Sequence, residues 1–407
     1  MVVATRFPPV KAEIGACGKA TAFPALDSGC RALSLAPRLG QVMKITFVLP
    51  LADLAGGIRV IAIYAERLAE RGHEVVVVSQ PMARPTWRDH LRSFVKYGRL
   101  EVGSEAPASH LDGLKIPHRV LERARPVVDS DVPDADVIIA TWWETAEWVA
   151  ALSKKKGAKA HFIQHHEVFD YMPKERVKAT WRLPLHKITI SQWLVDSARE
   201  EYGDTHVTCV PNSVDTRQFH APLRGRQPVP TVGLLYSSVP WKGCDISLAA
   251  LSLASRKIPG IQLVSFGANP LPDSLPLPAG TKYHHNPPQD QLRDIYASCD
   301  VWLCGSREEG FGLPILEAMA CRTPVIATPA GAAPELLKSG GGLLVRPEDP
   351  EDMSRAILKI CDTSDAEWAA MSAQAHATAV SYTWADATDR FEQGLRRAIE
   401  RHRAGEL

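Results

Sequence analysis

Short, nearly continuous apolar runs rich in β-branched residues alternate with longer segments of helical periodicity from residue 45 onward. Such runs are typical of parallel strands that are buried on both faces. In the first half of the chain they predict strands at 45–49, 75–78, 137–140, 161–163, 188–190 and 208–210. In the second half they predict strands at 232–236, 262–266, 283–285, 301–304, 324–328 and 342–345. This alternation predicts an α/β protein with doubly wound parallel sheets.

Two segments between and after these runs predict amphipathic helices. The first covers residues 58–71, ends before Gly72, and shares an apolar face formed by Ile58, Ile61, Ala65 and Leu68. The second covers about residues 386–400, with Ala387, Phe391, Leu395 and Ala398 on one face. The pattern alone leaves open whether this last helix packs on the second half of the chain or returns to the first.

The strand–helix units form two series, separated by a polar, proline-rich segment at residues 211–230 that we interpret as an interdomain linker. We therefore predict a first domain at 43–222, a second domain at 231–385 and a C-terminal helical segment at 386–407. Residues 1–42 show no periodicity, and Met43 begins the first strand, so a disordered or non-native extension is expected there. Two such domains would face a cleft lined by the carboxyl ends of both sheets, where open α/β folds bind ligands.

Composition narrows the class of protein. The 407 residues carry a net charge of +1, which lacks the basic excess of a general nucleic-acid binder. No apolar stretch is long enough to predict a membrane-spanning helix. Eight cysteines are scattered without a CxxC spacing, which favours reduced thiols and a cytoplasmic protein.

A glycine-rich bend after the strand at 301–304 carries the clearest chemistry. Gly310, Phe311, Gly312 and Leu313 lead into a helix, with Pro314 expected as the first helical residue. The unpaired amides and the dipole of a helix start favour a phosphate there. Glu309 and Glu317 flank the bend, and each carboxylate can accept hydrogen bonds from a pair of vicinal hydroxyls. This arrangement suits a nucleotide-diphosphate sugar, although acidic residues near a helix start can equally serve the helix dipole or simply be solvated.

Lys242 is the candidate phosphate-binding cation. It follows the strand at 232–236 and stands just before a helix from about residue 245, where a lysine opposes the helix dipole unless an anion is bound. A solvated surface lysine is the alternative. Asp129-Ser130-Asp131 has the form of a metal-binding Asp-x-Asp motif, but we interpret it as a solvated turn and predict no metal and no cofactor.

Three further segments have residues suited to binding. Gly56 and Gly57 follow the first strand, and their amides could approach a diphosphate or simply form a tight turn. Gln164-His165-His166 follows the strand at 161–163 and reaches the predicted cleft. Residues 84–99 place aromatic and aliphatic residues on one helical face and basic residues on the other, which favours either peripheral contact with an anionic membrane or an ordinary surface helix.

The chain resembles the family-4 retaining glycosyltransferases (GT4), which have the GT-B fold of two Rossmann-like domains facing a central cleft. The carrying motif is EEGFGLPILEAMA at residues 308–320, and the resemblance extends over about residues 43–400. Supporting segments, in the family's order, are Gly56-Gly57, RGHEVVVVS, VPNSVD, TPVIATPAGAAPELL and Tyr382-Thr383-Trp384. Two segments, Phe162-Ile163-Gln164 and Tyr236-Ser237-Ser238 before Trp241-Lys242-Gly243, are similar to bacterial rhamnosyltransferase-like members.

The resemblance implies specific roles. Glu309 would act at the donor sugar, Lys242 would bind the diphosphate, and a histidine near the reacting sugar would be His166 or, second, His165. The family's usual arginine shortly before the lysine is absent, since Tyr236, Ser237, Ser238 and Val239 stand there. Ser237 could bind phosphate without charge, and Arg307 could be a substitute cation. The family is thought to use front-face attack, in which the departing phosphate takes the acceptor proton.

The expected function is therefore metal-independent transfer of a hexosyl or deoxyhexosyl group from a nucleotide sugar to a glycan or lipid-linked acceptor, in polysaccharide or cell-envelope synthesis. The last helix of this fold usually crosses back to the first domain. The alternatives are an epimerase or phosphorylase on the same fold, or a catalytically silent scaffold suggested by the absent arginine. We expect a cytoplasmic protein, with peripheral contact at the inner face of the membrane if residues 84–99 bind lipid.

Overall fold

The structure of the protein, a computed structural model, describes residues 41–82, 108–268 and 270–407. Nearly all of the predicted extension at 1–42 and the whole amphipathic segment at 84–99 lie outside these residues. The described residues form two α/β lobes and the connections between them.

The first lobe is built on a seven-stranded parallel sheet in the order β3-β2-β1-β4-β5-β6-β7. Its strands are β1 Lys44–Leu51, β2 Glu74–Gln80, β3 His118–Val120, β4 Val137–Ala140, β5 Ala158–Ile163, β6 His186–Thr189 and β7 Val207–Cys209. Its described helices are α1 Gly56–Glu70, α2 Trp143–Ala151, α3 Lys174–Thr180 and α4 Gln192–Glu200. The central strands β4 and β5 are buried along their whole length, as the continuous apolar runs predict.

The second lobe is built on a six-stranded parallel sheet in the order β10-β9-β8-β11-β12-β13. Its strands are β8 Thr231–Leu235, β9 Gln262–Gly267, β10 Lys282–His285, β11 Val301–Cys304, β12 Val325–Ala327 and β13 Gly342–Leu344. Its helices are α5 Cys244–Ser255, α6 Leu292–Ala297, α7 Leu313–Ala320, α8 Ala333–Leu337, α9 Pro350–Asp362 and α10 Asp365–Val380. Short 3₁₀ turns lie at Asp129–Asp131, Lys154–Lys156, Pro240–Lys242 and Gln289–Gln291.

All twelve predicted strands are present within a few residues of their expected bounds. The missed strand is β3 at the edge of the first sheet, and all three of its residues are exposed. It therefore lacks the buried apolar run that marks most of the other strands. The helix predicted at 58–71 is α1, and Gly72 follows it with a φ of 88°, the left-handed conformation that ends helices.

The last helix, α11 (Trp384–Arg403), leaves the second lobe and packs on the first sheet. Its Phe391 is fully buried and stacks on Tyr64 of α1, with ring centroids 4.3 Å apart. The same ring meets Phe162 of β5 edge to face at 5.1 Å. The chain thus passes between the lobes twice, and its C-terminal helix completes the core of the lobe that its N-terminal half builds.

The interpretation of Asp129-Ser130-Asp131 as a solvated turn holds for the exposed Ser130 and is wrong for Asp131. These residues form a 3₁₀ turn in which Asp131 is buried and Nη2 of Arg125 donates a hydrogen bond to its carboxylate at 2.7 Å. Asp129 accepts a hydrogen bond from the backbone N–H of Ser153 at 2.9 Å. The two aspartates therefore tie neighbouring loops together, a structural use that the bare motif does not reveal.

The cysteines within the described ranges are buried or half-buried. Six of them are free thiols, and burial raises the pKa of Cys209 and Cys244 to about 11. Among the helices that the structure describes, none combines the length and the apolar character needed to cross a bilayer.

Candidate active site

The glycine-rich bend forms the start of α7, directly beyond the end of β11. Gly312 caps the helix with a φ of 94°, which favours glycine, and Leu313 and Pro314 are the first two helical residues. Pro314 therefore stands second in the helix rather than first, a position where its missing N–H is equally harmless. Phe311 is buried, and the packing of its side chain holds the bend in place. In the first turn of α7, Pro314 has no N–H and the Ile315 N–H donates to the Gly312 carbonyl at 2.9 Å, which leaves the amide of Leu313 for an anion.

Glu309 lies just before this bend and is paired with Lys242. Nζ of Lys242 lies 2.7 Å from Oε1 of Glu309, and the Ser306 hydroxyl donates to the same oxygen at 3.0 Å. The Glu309 side chain is only 17% exposed, so the alternative of a solvated carboxylate does not hold.

Close packing of two glycines brings Lys242 to this position. Gly243 has a φ of 59°, and a Cβ placed on it would lie 1.8 Å from the carbonyl oxygen of Gly305. Only glycine permits this approach of the turn before α5 to the end of β11. The lysine predicted as a phosphate ligand and the glutamate predicted at the donor sugar therefore share one end of the second sheet.

Glu317, the other predicted carboxylate, is buried on α7 and holds a partner on each oxygen. The Tyr296 hydroxyl donates to Oε2 at 2.8 Å, and Nη1 of Arg59 lies 3.4 Å from Oε1. Burial raises the pKa of Glu317, while the charge of Arg59 opposes that shift. Because Arg59 belongs to α1, this contact joins the first lobe to the second.

The glycine bend also meets the first lobe directly. The carbonyl oxygen of Gly310 accepts hydrogen bonds from the Ser191 hydroxyl at 3.1 Å and from Nε1 of Trp193 at 2.9 Å. A Cβ placed on Gly310 would lie 1.9 Å from the carbonyl oxygen of Gln164, and Nε2 of Gln164 donates to the Gly57 carbonyl at 3.0 Å. The first turn of α1, the end of β5 and the bend before α7 therefore come together at one place.

The two candidate histidines differ in their surroundings. Nε2 of His166 lies 2.6 Å from the Tyr202 hydroxyl, and its ring packs against the buried Trp181. His165 stacks on Phe169 at 4.7 Å, and its Nδ1 accepts the backbone N–H of Glu167 at 3.1 Å. Burial and the nearby charge of Lys242 lower the pKa of His165 to about 4. Lys242 thus contributes to the lowered pKa of His165, whereas Glu201 and Lys178 act on that of His166, and the choice of His166 over His165 stays a prediction.

Both histidines border a cavity of about 380 Å³ between the lobes, together with Trp193, Glu309 and Gly331. An aromatic cluster adjoins His165: Phe169 and Tyr171 of the first lobe stack on each other at 5.4 Å, and Phe169 lies 5.3 Å from Trp241 of the second. Trp193 and the two histidines form one side of the cavity, and Arg307, Glu308 and Glu309 add charged groups, a combination that suits a polar small molecule.

The remaining predicted positions play smaller parts in the structure. The Ser237 hydroxyl accepts the backbone N–H of Val239 at 3.2 Å, within the turn that leads to Lys242. A Cβ on Gly56 would meet nothing within 4 Å, so the space beside α1 is open there. Arg307 is held by two carboxylates, with Nη2 2.8 Å from Asp245 and Nε 2.7 Å from Glu348. Its charge is thus already balanced, which weakens its candidacy as a substitute cation.

Sequence reasoning did not single out Arg59, Tyr296 or Trp193. Tyr296 and Trp193 lie on helices whose partners come from distant parts of the chain, and no local spacing reveals them. Arg59 carried a usable signal, because it is a charged residue two positions after Gly57 on the edge of an otherwise apolar helix face. In the part of the chain that the structure describes, no group of three or more His, Cys, Asp or Glu side chains is arranged to hold a metal ion.

Comparison with known proteins agrees with the two-lobed architecture. A family model described as Glycosyltransferase Family 4 matches residues 55–218, and one described as Glycosyl transferases group 1 matches residues 228–363. The crystal structure of Anabaena HepE in complex with UDP has a TM-score of 0.67 at 19% identity, covering 87% of this chain and 100% of that one. Sucrose-phosphate synthase from Thermosynechococcus elongatus has a TM-score of 0.66 at 16% identity, covering 88% and 99%.

The fold is therefore GT-B, two parallel α/β sheets with their helices, as the sequence predicted. The chain belongs to the GT4-type glycosyltransferases.

Its curated relatives include D-inositol 3-phosphate glycosyltransferases. The one from Mycobacterium marinum is 30% identical over 206 residues, covering 47% of this chain and 43% of the relative. The one from Mycolicibacterium vanbaalenii is 37% identical over 121 residues, covering 29% and 26%. The chain therefore matches less than half the length of these relatives.

Proposed function

We propose that this protein is a retaining glycosyltransferase that moves a hexosyl or deoxyhexosyl group from a nucleotide-diphosphate sugar to a glycan or lipid-linked acceptor, without a metal. One observation carries the proposal: Glu309 and Glu317 flank the amide-rich start of α7, and Lys242 reaches the same place. The solved structures of HepE with UDP and with UDP-glucose, although they establish only the shared fold, make a nucleotide sugar the natural donor to test.

The geometry assigns a part to each group. The hydroxyls of the donor sugar would bind Glu309 and those of the ribose would bind Glu317, since ionised carboxylates accept two or more hydrogen bonds. The phosphates between them would bind the amide of Leu313 at the start of α7 and the ammonium of Lys242. As the bond between sugar and phosphate breaks, negative charge grows on the phosphate, and these preorganised donors stabilise it.

The described site offers a neutral histidine beside the reacting sugar. Because the pKa of His165 is lowered to about 4, its imidazole is uncharged at neutral pH and can accept or donate a hydrogen bond to a sugar hydroxyl. The acceptor hydroxyl would enter through the cavity beside His165 and Trp193, and its proton would pass to the departing phosphate. That route requires no nucleophilic side chain on the protein.

A thermal-shift screen of UDP, GDP, dTDP and ADP tests the donor site, since a ligand that binds only the folded state raises its melting temperature. We expect one of them to bind. With the matching sugar nucleotide, Glu309→Gln should lower turnover or donor hydrolysis by 100-fold or more, roughly the loss of one strong transition-state contact. Glu351→Gln, an exposed change on α9, is the matched control.

The screen and the variant separate the alternatives. A protein that binds no nucleotide, or one in which Glu309→Gln leaves the rate unchanged, contradicts the proposal. A protein that binds the donor but releases an isomerised sugar nucleotide is an epimerase, and one that binds it without turnover is a silent scaffold. Retention of configuration is read from the anomeric signal of the product by NMR. Cytoplasmic location and a role in polysaccharide assembly belong to the same proposal.

A further inference from the structure

The donor site holds few positive charges. Each phosphate of a nucleotide-diphosphate sugar is ionised at neutral pH, yet no Lys or Arg occurs between Gln227 and Trp241, the stretch that leads to Lys242. Arg307 is nearby, but Asp245 and Glu348 both hold it. Lys242 differs from Arg307 in its partner. Among the described residues of the second lobe at this site, it is the cation paired with a predicted donor ligand, Glu309.

Arg59 brings another cation to the site from the first lobe. Its Nη1 lies 3.4 Å from Oε1 of Glu317, its Nη2 donates to Oε1 of Gln218 at 3.2 Å, and its side chain is 25% exposed. The 3.4 Å contact is longer than the usual 2.7–3.2 Å of an N–H···O hydrogen bond, so this pair is loosely held. Glu317 would still keep the Tyr296 hydroxyl at 2.8 Å if the arginine left.

The position of α1 keeps the guanidinium close to the expected diphosphate. Gly57, two residues before Arg59, bonds to Gln164 through its carbonyl oxygen. The carbonyl oxygen of Gln164 in turn lies so close to Gly310 that a Cβ added to this glycine would be only 1.9 Å from that oxygen. The first turn of α1 is therefore packed beside the bend whose amides would receive the phosphates.

Each of the two carboxylates of the site is paired with one cationic side chain. Glu309 is balanced by Lys242 at 2.7 Å, and Glu317 is balanced by Arg59 at 3.4 Å. We propose that Arg59 is the second cation of the diphosphate site, and that donor binding exchanges both pairs. Sugar and ribose hydroxyls would replace the cations on the two carboxylates, and the released ammonium and guanidinium would bind the phosphates.

This inference rests on the proposed function and deepens it, because it makes the first lobe part of the donor site. It also gives the bound donor a part in holding the lobes together, because the diphosphate would attract Arg59 from the first lobe as the Arg59–Glu317 contact is released. In this exchange the two cations move to the phosphates, and each carboxylate keeps its charge and is stabilised by hydroxyl donors: those of the sugar or ribose together with Ser306 on Glu309 and Tyr296 on Glu317.

The experiment is calorimetric titration of UDP, GDP, ADP and dTDP and of the four corresponding nucleosides. The proteins are the wild type, Arg59→Gln and Arg59→Ala. We expect either substitution to weaken the diphosphate that binds by about tenfold or more, the effect of a lost charge-assisted hydrogen bond of about 1.5–3 kcal/mol. The nucleoside, which has no phosphate, should bind as well as before or better, because Glu317 is freed. Arg59→Lys should recover part of the loss.

Arg67→Ala, a change near the end of the same helix, is the matched control and should leave both affinities unchanged. Arg59→Gln keeps a hydrogen-bond donor near the buried Glu317, so it tests the charge even if the alanine variant is unstable. An equal change for diphosphate and nucleoside overturns the exchange, and so does no change at all. If the wild type binds none of the four diphosphates, the proposed function fails first, which distinguishes the two failures.

Discussion

Gly310 is the point where the bend of the second lobe meets the first lobe, and its substitution by alanine gives a sharp test of the closed arrangement. The added Cβ would lie 1.9 Å from the carbonyl oxygen of Gln164, whereas real Cβ contacts essentially never fall below 3.0 Å. The two backbones must therefore move apart by about 1 Å. Backbone atoms on both sides leave no flexible side chain to take up the strain.

The strain that this substitution introduces destabilises the contact between the lobes and leaves the interior of each lobe unchanged. Overpacking of this kind costs about 1–3 kcal/mol, and the lobes can relieve it by opening. Opening also breaks the hydrogen bonds from Ser191 and Trp193 to the Gly310 carbonyl. A ligand that binds the closed form should then lose about 5- to 150-fold in affinity.

The assay combines nucleotide titration with small-angle X-ray scattering. We expect Gly310→Ala to weaken binding, to increase the radius of gyration and to shift the melting temperature little. Gly225→Ala is the control, because a Cβ there meets nothing within 4 Å and the backbone conformation is ordinary. A Gly310→Ala protein with wild-type affinity and dimensions would refute the closed arrangement, and cooperative loss of the fold would refute the view that the lobes separate freely.

Two further predictions concern stability. Phe391→Ala removes a fully buried ring that stacks on Tyr64, so it should lower the free energy of unfolding by about 3–5 kcal/mol in a denaturant titration; a change below about 1 kcal/mol would contradict the packing of α11 on the first lobe. Burial and the neighbouring Arg401 lower the pKa of His186 from 6.5 to about 4. As the pH falls, His186 therefore takes up a proton at a higher pH in the unfolded protein than in the folded protein. The free energy of unfolding consequently decreases between about pH 6.5 and 4. His186→Asn should flatten that part of the curve, and an unchanged slope would count against this origin.

The fold was predictable because its signal is local and repeated. Parallel strands buried on both faces leave continuous apolar runs, and most of the twelve predicted strands were found in this way. The exposed edge strand β3 was missed for the same reason. Gly72, Gly310 and Gly312 were recognised because turns and helix ends restrict which residues fit.

The site was less predictable, since its contacts depend on tertiary structure. The spacing of Glu309 and Glu317 indicated two carboxylates at one helix, but nothing local showed that Lys242 and Arg59 would each face one of them. The choice between His165 and His166 depends on Tyr202, a residue far along the chain. The return of α11 could be expected from the family resemblance, whereas its amphipathic pattern fits either lobe.

The double passage of the chain between the lobes has a mechanical consequence. The two connections lie side by side: the backbone N–H of Val214 donates to the carbonyl of Tyr382 at 3.4 Å, and Pro211, Ser213 and Thr383 line one small cavity with that tyrosine. Two lobes that are joined at one edge by two adjacent chain segments can rotate about that edge, whereas sliding and twisting are restricted. The two neighbouring connections thereby favour rotation about one edge, a motion that would bring the same two faces of the lobes toward an entering nucleotide each time.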